Sequence, residues 1–276
     1  MRASKCYSVF GVVLFVCCCL AGCGWQDGQS AEETFNRALA GLSGVDNFSF
    51  KGEAAIRGEQ NGPFLQSLAF EGKLQHHTDL TLSSRNTFEK LRNNKVAAES
   101  DNTQDGVTVE LKRKGGKWST LSSKHAEEMW MTRLNPLELL EYVGKSEKTV
   151  TRELGAARGT KMLRIELSPE AAADMARESL EEQMKALAER IDRAGDPLYS
   201  ESPKVRKQLK ALWERDYTDM QKMLNQADAA SVFHMTINKK SHLPTRVSME
   251  RTLSFVDGQG QARTETLLSD VTFKGY

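Results

Sequence analysis

The most informative reactive side chains in this sequence are its five cysteines, because all of them lie near the amino terminus. They are Cys6, Cys17, Cys18, Cys19 and Cys23, and the rest of the chain contains none. A cysteine sulfur can be acylated, alkylated or paired in a disulfide bond. Because no cysteine follows residue 23, the body of the chain has no disulfide framework of its own.

The segment that carries these cysteines is typical of a secretory signal. Arg2 and Lys5 form a positive start, an uncharged and mostly apolar run follows from Tyr7 to Leu20, and small residues come next. This order describes a signal peptide, and the apolar run is too short to span a membrane comfortably as a helix. We therefore predict that residues 1–22 are removed.

The end of this segment, Leu20-Ala21-Gly22-Cys23, resembles the bacterial lipobox. The resemblance implies that a diacylglyceryl group joins the Cys23 sulfur and that cleavage leaves Cys23 first, with acyl chains such as palmitate as the anchor. Several acyl chains hold a protein at a membrane where one does not, at about 0.8 kcal/mol per buried methylene. The alternative is an ordinary signal followed by a chance cysteine. We expect lipidation of Cys23, a tether over residues 23–30, and a location on the extracytoplasmic face of the cell membrane.

Other residues that could do chemistry do not form a recognisable site. Gly144-Lys145-Ser146 resembles the end of a phosphate-binding loop, but Leu139 stands where that loop needs a glycine. His76 and His77 are adjacent, and neighbouring residues on a strand point to opposite faces, so one metal ion could not easily bind both. No nucleophile elbow and no zinc-binding His-Glu-x-x-His motif occurs. We predict no catalytic residue, no metal site, no cofactor and no enzymatic activity.

The charge balance excludes some partners. The 38 basic residues become 36 once Arg2 and Lys5 are removed, against 37 acidic ones, so the net charge is near −1. A chain without a strong positive field is not expected to bind nucleic acid. The mean hydropathy of −0.51 and the 27% of charged residues indicate a body that dissolves in water.

Apolar and polar residues alternate through much of the chain, which predicts antiparallel strands with one buried and one wet face. The stretch from Phe48 to Arg57 is the clearest case, with Gly52 on its apolar side. Further strands are predicted around 68–75, 78–82, 107–112, 117–121, 149–154, 161–167, 232–238 and 245–255, and a last one through Val271 and Phe273. Gly52 and Gly72 fall on the apolar side, where they permit curvature or close backbone approach.

Helices are predicted where the apolar period changes to 3.6. One covers 31–42, and a second begins at Asn135-Pro136, with asparagine as N-cap and proline in the first turn. Ser168-Pro169 and Ser202-Pro203 begin two long helices. These two predict a helical hairpin over residues 169–230, inserted between strands, inside a domain that spans 31–276.

This order of elements resembles the lipoprotein-carrier superfamily, which includes the LolA carrier, the RseB sensor domain and the mycobacterial LppX and LprG lipoproteins. Three stretches carry the resemblance: the meander from Phe48, the segment Asn135 to Leu140 with the strands after it, and Ile237 to Val247 with its Leu-Pro turn. It implies an α+β fold, a curved antiparallel half-barrel with helices on its concave face. It also implies that acyl chains or lipoproteins bind in an apolar hollow. The insertion at 169–230 is unusually long for this family.

The apolar faces allow two interpretations, a plain core or a hollow that binds a lipid. We take the lipid or lipidated partner as the leading hypothesis, and a non-enzymatic structural or regulatory protein that engages a partner through 169–230 as the alternative. The candidate ligand-binding residues are the in-phase apolar ones of the first strands: Phe48, Phe50, Leu68, Phe70, Leu74, Leu80, Leu82, Val107, Val109 and Leu111.

Overall fold

The alternating segments form strands in the computed structural model, which describes residues 28–58, 62–86, 107–120, 131–193 and 202–276. The predicted signal peptide and Cys23 lie outside these residues. The strands are β1 (Phe48–Arg57), β2 (Phe64–Gln75), β3 (Asp79–Asn86), β4 (Thr108–Lys114), β5 (Lys117–Thr120), β6 (Lys148–Glu153), β7 (Thr160–Leu167), β8 (Asp228–Asn238), β9 (Pro244–Val256) and β10 (Ala262–Lys274).

The strands form one open, curved sheet in the order β5-β4-β3-β2-β1-β10-β9-β8-β7-β6. Every neighbouring pair is antiparallel. The two central strands, β1 and β10, come from opposite ends of the domain and pair with Phe50 opposite Phe273. The predicted α+β class, a curved antiparallel sheet with helices against it, is confirmed.

Four α-helices accompany the sheet in the described part of the chain: α1 (Ala31–Ser43), α2 (Pro136–Lys145), α3 (Pro169–Asp192) and α4 (Pro203–Leu224). The predicted caps of α2 and α3 are formed, because Asn135 accepts from the Leu137 amide and Ser168 accepts from the Ala171 amide. These caps satisfy amides that have no partner within the helix. No helix within the described residues is both long and apolar enough to cross a membrane.

The core lies between the inner face of the sheet and the first three helices. Phe35 of α1, Leu140 and Val143 of α2, and Ala172 of α3 are at most 2% exposed and join the inner side chains of the strands in one cluster. Burying one such leucine or phenylalanine stabilises the fold by roughly 1.5–3 kcal/mol. The inner face is the side that carries Phe50 and all residues in phase with it across the ladder.

Two glycines let aromatic rings lie directly on the inner face. Gly52 pairs with Phe70, and Gly72 pairs with Phe50, in the ladder between β1 and β2. A Cβ added at either glycine would stand 2.3 Å from the Cζ of the opposite ring. The expected close approach at both glycines is therefore present, and only a residue without a side chain fits beneath the rings.

The inserted helices end earlier than the predicted boundary at residue 230. Helix α4 ends at Leu224, and β8 begins at Asp228, so residues 228–230 belong to the sheet. In the register between β8 and β9, Asp228 already pairs with Ser254. The polar and small residues at the start of β8 carry no apolar alternation, so the sequence pattern did not reveal them.

Candidate functional site

The ten candidate residues share the inner face of the sheet. Phe48 pairs with Leu74, Leu74 with Leu80, and Leu80 with Leu111, and the remaining candidates continue the same phase along these strands. Nine of them are at most 7% exposed. Val107, half-buried, lies just before β4 and its carbonyl accepts from the Ser84 amide at 2.9 Å.

Helices α1 and α2 share one packed core with these strands, so most of this half of the inner face is occupied by protein. A cavity of about 40 Å³ remains between the helices, β2 and the β4–β5 hairpin, with Leu42, Trp118 and Leu140 among its walls. Such a volume holds roughly three water molecules and leaves no room for an acyl chain. The candidate residues thus form a packed floor.

The rim of this cavity is polar. Arg113 pairs with Glu141 at 2.7 Å, and its guanidinium lies 5.9 Å from the Trp118 ring centroid. The Trp118 Nε1 is buried and has no hydrogen-bond partner among the residues that the structure describes. The ion pair joins β4 to α2 and closes the floor at this edge.

The other end of the inner face is more open. Here we define the open half by five inner-face residues that are only half-buried: Ala54, Ile56, Leu253, Phe255 and Leu267. They run toward the tips of the β1–β2 and β9–β10 hairpins, where Phe64, Leu65 and Val256 are 47%, 61% and 48% exposed. The open half therefore offers apolar surface that water reaches.

A group of charged residues faces this region. Arg251 occupies the inner-face position between Met249 and Leu253, opposite Leu267 of β10. Burial lowers the pKa of Arg251, which the charge of Glu265 partly opposes. Arg251 breaks the apolar alternation of β9, and this break is the sequence signal that could have marked it.

Two residues at the start of α2 are also perturbed. Burial lowers the pKa of Arg133 to about 10, with Glu182 opposing and Arg251 adding to the effect. Glu138 remains in contact with solvent, yet desolvation by the surrounding protein raises its pKa to about 7. The negative charges of Glu182 and Glu141 add to the rise. Carboxylates and guanidinium groups of α2, α3 and β9, and of the turn before α2, thus act on one another electrostatically.

The inserted hairpin borders the open half, because α3 packs on β8 and α4 contacts β9. The buried side chains of α3 include Ala172 and Met175, whereas α4 buries only Leu224. The Trp213 ring stacks on Tyr217 at 5.0 Å, and its indole nitrogen donates to the Met184 carbonyl at 2.7 Å. The Trp213 side chain therefore attaches α4 to α3.

The outer face carries a concavity of about 310 Å³ that the sequence reasoning did not single out. Its walls are mainly hydroxyls and lysines, with Lys51 and Glu71 joined at 3.3 Å. Both side chains are at least half exposed. Charged and hydroxyl-bearing side chains therefore line an open depression on the face opposite the packed core.

The adjacent histidines lie in the turn between β2 and β3, not on a strand as the sequence reasoning assumed. His76 and His77 have φ values of 53° and 60°. His77 contacts Asp46, and His76 lies 3.8 Å from Asp79. Within the described residues, no three side chains of the metal-binding types come together.

No protein-family model matches this chain, and no curated protein matches it either. Among solved structures, one described as lipid–protein interactions in lipovitellin is 10% identical, with a TM-score of 0.40. The alignment covers 83% of this chain and 25% of that one, so this chain spans about a quarter of that protein.

Two further solved structures are similar over most of both chains. A LolA superfamily protein from Nitrosomonas europaea is 8% identical, with a TM-score of 0.26 and coverage of 90% of this chain and 96% of that chain. An outer membrane lipoprotein-sorting protein domain from Vibrio parahaemolyticus is 9% identical, with a TM-score of 0.23 and coverage of 89% and 94%. All three similarities stand at 10% identity or less and at TM-scores of 0.40 or less, so the function proposed next rests on the geometry of this chain.

Proposed function

We propose that this protein is an extracytoplasmic lipoprotein, anchored to a membrane through Cys23, that binds a lipid or a lipidated partner on the inner face of its sheet. The observation that carries the proposal is the open half. There, apolar inner-face side chains such as Ile56, Leu253 and Leu267 stay half-buried, while the floor beside them is packed. Apolar surface left in contact with water inside a concave face is a place where an acyl chain gains free energy by binding.

The packed floor shapes where the ligand lies. An acyl chain that entered among Phe50, Phe70 and Leu82 would have to displace side chains that are at most 4% exposed. The open half needs no such displacement. We therefore place the chain along Ile56, Leu253 and Leu267, with the floor candidates as the wall behind it.

The test is binding of a fluorescent sixteen-carbon fatty acid to the form that lacks residues 1–23, which keeps every described helix and strand. Leu253→Asp and Leu267→Asp should each weaken binding at least tenfold, because a charge in an apolar site is costly. Leu154→Asp is the matched control, since Leu154 is 96% exposed beyond β6. Equal binding by all three variants, or no binding by the wild type, contradicts the proposal.

The anchor is tested separately. The protein with Cys23→Ala should stay an unprocessed and unlabelled precursor when cells are fed a labelled fatty acid. Processing and labelling equal to the wild type would refute the lipoprotein part alone. Organic extraction of the purified wild type, followed by mass spectrometry, would identify a lipid that copurifies.

A second function is supported by the exposure of α4. Val205 and Leu212 are 37% and 44% exposed on a helix that buries little of its own surface. Such a helix could engage a protein partner through its apolar side chains. Crosslinking from position 212 in cells would capture that partner, and a crosslink only to lipid would favour the first function.

A further inference from the structure

Arg251 is an unusual residue for its position. Its neighbours on the inner face are Met249 and Leu253 along β9, Leu267 on β10 and Ser231 on β8. Met249 is 7% and Ser231 1% exposed. A guanidinium group is thus placed in a largely apolar surface at the border between the packed floor and the open half.

Within the described part of the chain, the Arg251 side chain makes no hydrogen bond and no ion pair with another residue. The hydroxyl of its cross-strand neighbour Ser231 is buried and has no hydrogen-bond partner among these residues either. Glu265 acts on Arg251 through its charge, but it lies beyond ion-pair distance. A partly desolvated cation without a bonded partner is costly in a folded protein. A hydrogen-bond acceptor supplied by a ligand would therefore stabilise Arg251.

Arg133 repeats this situation from the other side. It lies in the 3₁₀ turn Thr132–Leu134 before α2 and, among the described residues, makes no hydrogen bond or contact ion pair. The positive charge of Arg251 adds to the burial that lowers the pKa of Arg133. The two guanidinium groups therefore act on each other electrostatically.

Among the described residues, the nearby carboxylates do not form an ion pair with Arg251 or Arg133. Glu182 of α3 acts on Arg133, and Glu265 of β10 acts on Arg251, both without forming an ion pair with it. Glu141 is engaged with Arg113 at 2.7 Å. Glu138 has a pKa of about 7, so it is only partly ionised near neutral pH.

We propose that Arg251, Arg133 and the Ser231 hydroxyl bind the anionic headgroup of an amphiphile whose acyl chain lies along the open half. A carboxylate or phosphate oxygen accepts from a guanidinium in a fork geometry, and a serine hydroxyl can donate a further hydrogen bond. This inference rests on the proposed lipid-binding function and adds the headgroup chemistry to it. Neutral amphiphiles of the same length should bind, but more weakly.

The test compares three sixteen-carbon competitors, hexadecanoate, hexadecyl phosphate and hexadecanol, for displacement of a fluorescent fatty acid from the full-length protein. We expect at least one anionic competitor to bind about tenfold or more tightly than hexadecanol, since charged hydrogen bonds are strong. The better of the two anions distinguishes a fatty acid from a phospholipid source. The detergent that keeps the full-length protein in solution also takes up some of each competitor. Because this uptake is the same in every assay, the variants can be compared directly.

Arg251→Gln and Arg133→Gln should each bring the ratio of anion affinity to hexadecanol affinity close to one. Both should leave the affinity for hexadecanol itself unchanged. Arg251→Lys keeps the charge without the fork and should keep part of the preference. Arg246→Gln is the matched control, because Arg246 lies on the outer face of the same strand, where it pairs with Asp270 at 2.7 Å. It should behave as the wild type.

The outcomes separate this inference from the proposed function. Equal affinity for all three competitors, or a preference that survives in Arg251→Gln, overturns the headgroup site while lipid binding stands. Absence of displacement by any competitor overturns both. Thermal unfolding of Arg251→Gln checks folding, and its stability should not fall, because the lost charge has no bonded partner in the unliganded protein.

Discussion

Substitution of Gly52 by alanine tests whether the floor of the hollow is built as described. The new Cβ would lie 2.3 Å from Cζ and 2.8 Å from both Cε atoms of Phe70. Ordinary carbon contacts are about 3.5–4.0 Å, so the ring must move by more than about 1 Å. Phe70 is 4% exposed and lies against the Phe50 ring at 6.4 Å, so it has little space in which to move.

The expected magnitude follows from two opposing effects. Overpacking of a core costs about 1–3 kcal/mol. Replacement of glycine by alanine restricts the unfolded chain and returns about 0.4–1 kcal/mol. With central values of about 2 kcal/mol for the cost and about 0.7 kcal/mol for the return, the free energy of unfolding should fall by about 1.3 kcal/mol, which for a chain of this size lowers Tm by roughly 3–5 °C.

Urea unfolding of the form without residues 1–23 measures this change. Gly258→Ala is the control, because nothing lies within 4 Å of a Cβ at that turn position and its backbone is not left-handed. It should be as stable as the wild type. Phe70→Leu tests whether the Phe70 ring causes the loss. The double variant Gly52→Ala/Phe70→Leu should lose about 0.5–2 kcal/mol less unfolding free energy than the two single variants lose together.

The reasoning is refuted if Gly52→Ala leaves stability within about 0.5 kcal/mol of the wild type, or if the two substitutions add without coupling. Either result would mean that the ring does not rest on the glycine. The packed floor would then be less rigid than described, and the candidate residues around Phe70 could part to admit a ligand.

Two further predictions concern α2 and the inserted hairpin. The raised pKa of Glu138, about 7 against 4.5 unperturbed, means that the folded state holds a proton that the unfolded state has released, so stability falls as pH rises from about 4.5 to 7. Glu138→Gln should reduce this fall in thermal unfolding between pH 5 and 8, and an unchanged slope would contradict the assignment. Met175→Asp should cost about 3 kcal/mol or more because Met175 is 6% exposed in the core, whereas Leu212→Asp on α4 should change stability by less than about 0.5 kcal/mol. Equal losses in urea unfolding would show that α4 belongs to the core.

Local signals predicted the individual elements well. The alternation from Phe48 to Arg57 coincides with β1, and the Asn135-Pro136 and Ser168-Pro169 pairs begin helices as predicted. These signals depend on residues close in sequence: a side-chain oxygen reaches an amide two or three residues on, and a period of two follows from the pleat. The start of β8 was missed because Asp228 to Ala230 are small or polar.

The candidate site was predicted only in part. The shared phase of the apolar residues placed Phe50, Phe70 and Leu82 on one face, but alternation is the same for a packed core and for an open hollow. The alternation of β9 pointed to Met249 and Leu253 and gave no role to Arg251 between them. The sequence argument against a metal at His76 and His77 assumes a strand, although histidine is one of the non-glycine residue types enriched in left-handed backbone, so their turn was open to prediction.

The sequence by itself determined the period of each segment, the positions of the helix caps and the place of Gly52 and Gly72 on the apolar side, and it is the source of the predicted leader over residues 1–22. Only the tertiary structure decided that β1 pairs with β10, that Phe35 and Leu140 fill one half of the inner face, and that Leu253 and Leu267 stay partly open. The reason is physical. Period and capping are set by neighbours along the chain, whereas the covering of a face depends on which distant helix packs there, and no local pattern records that choice.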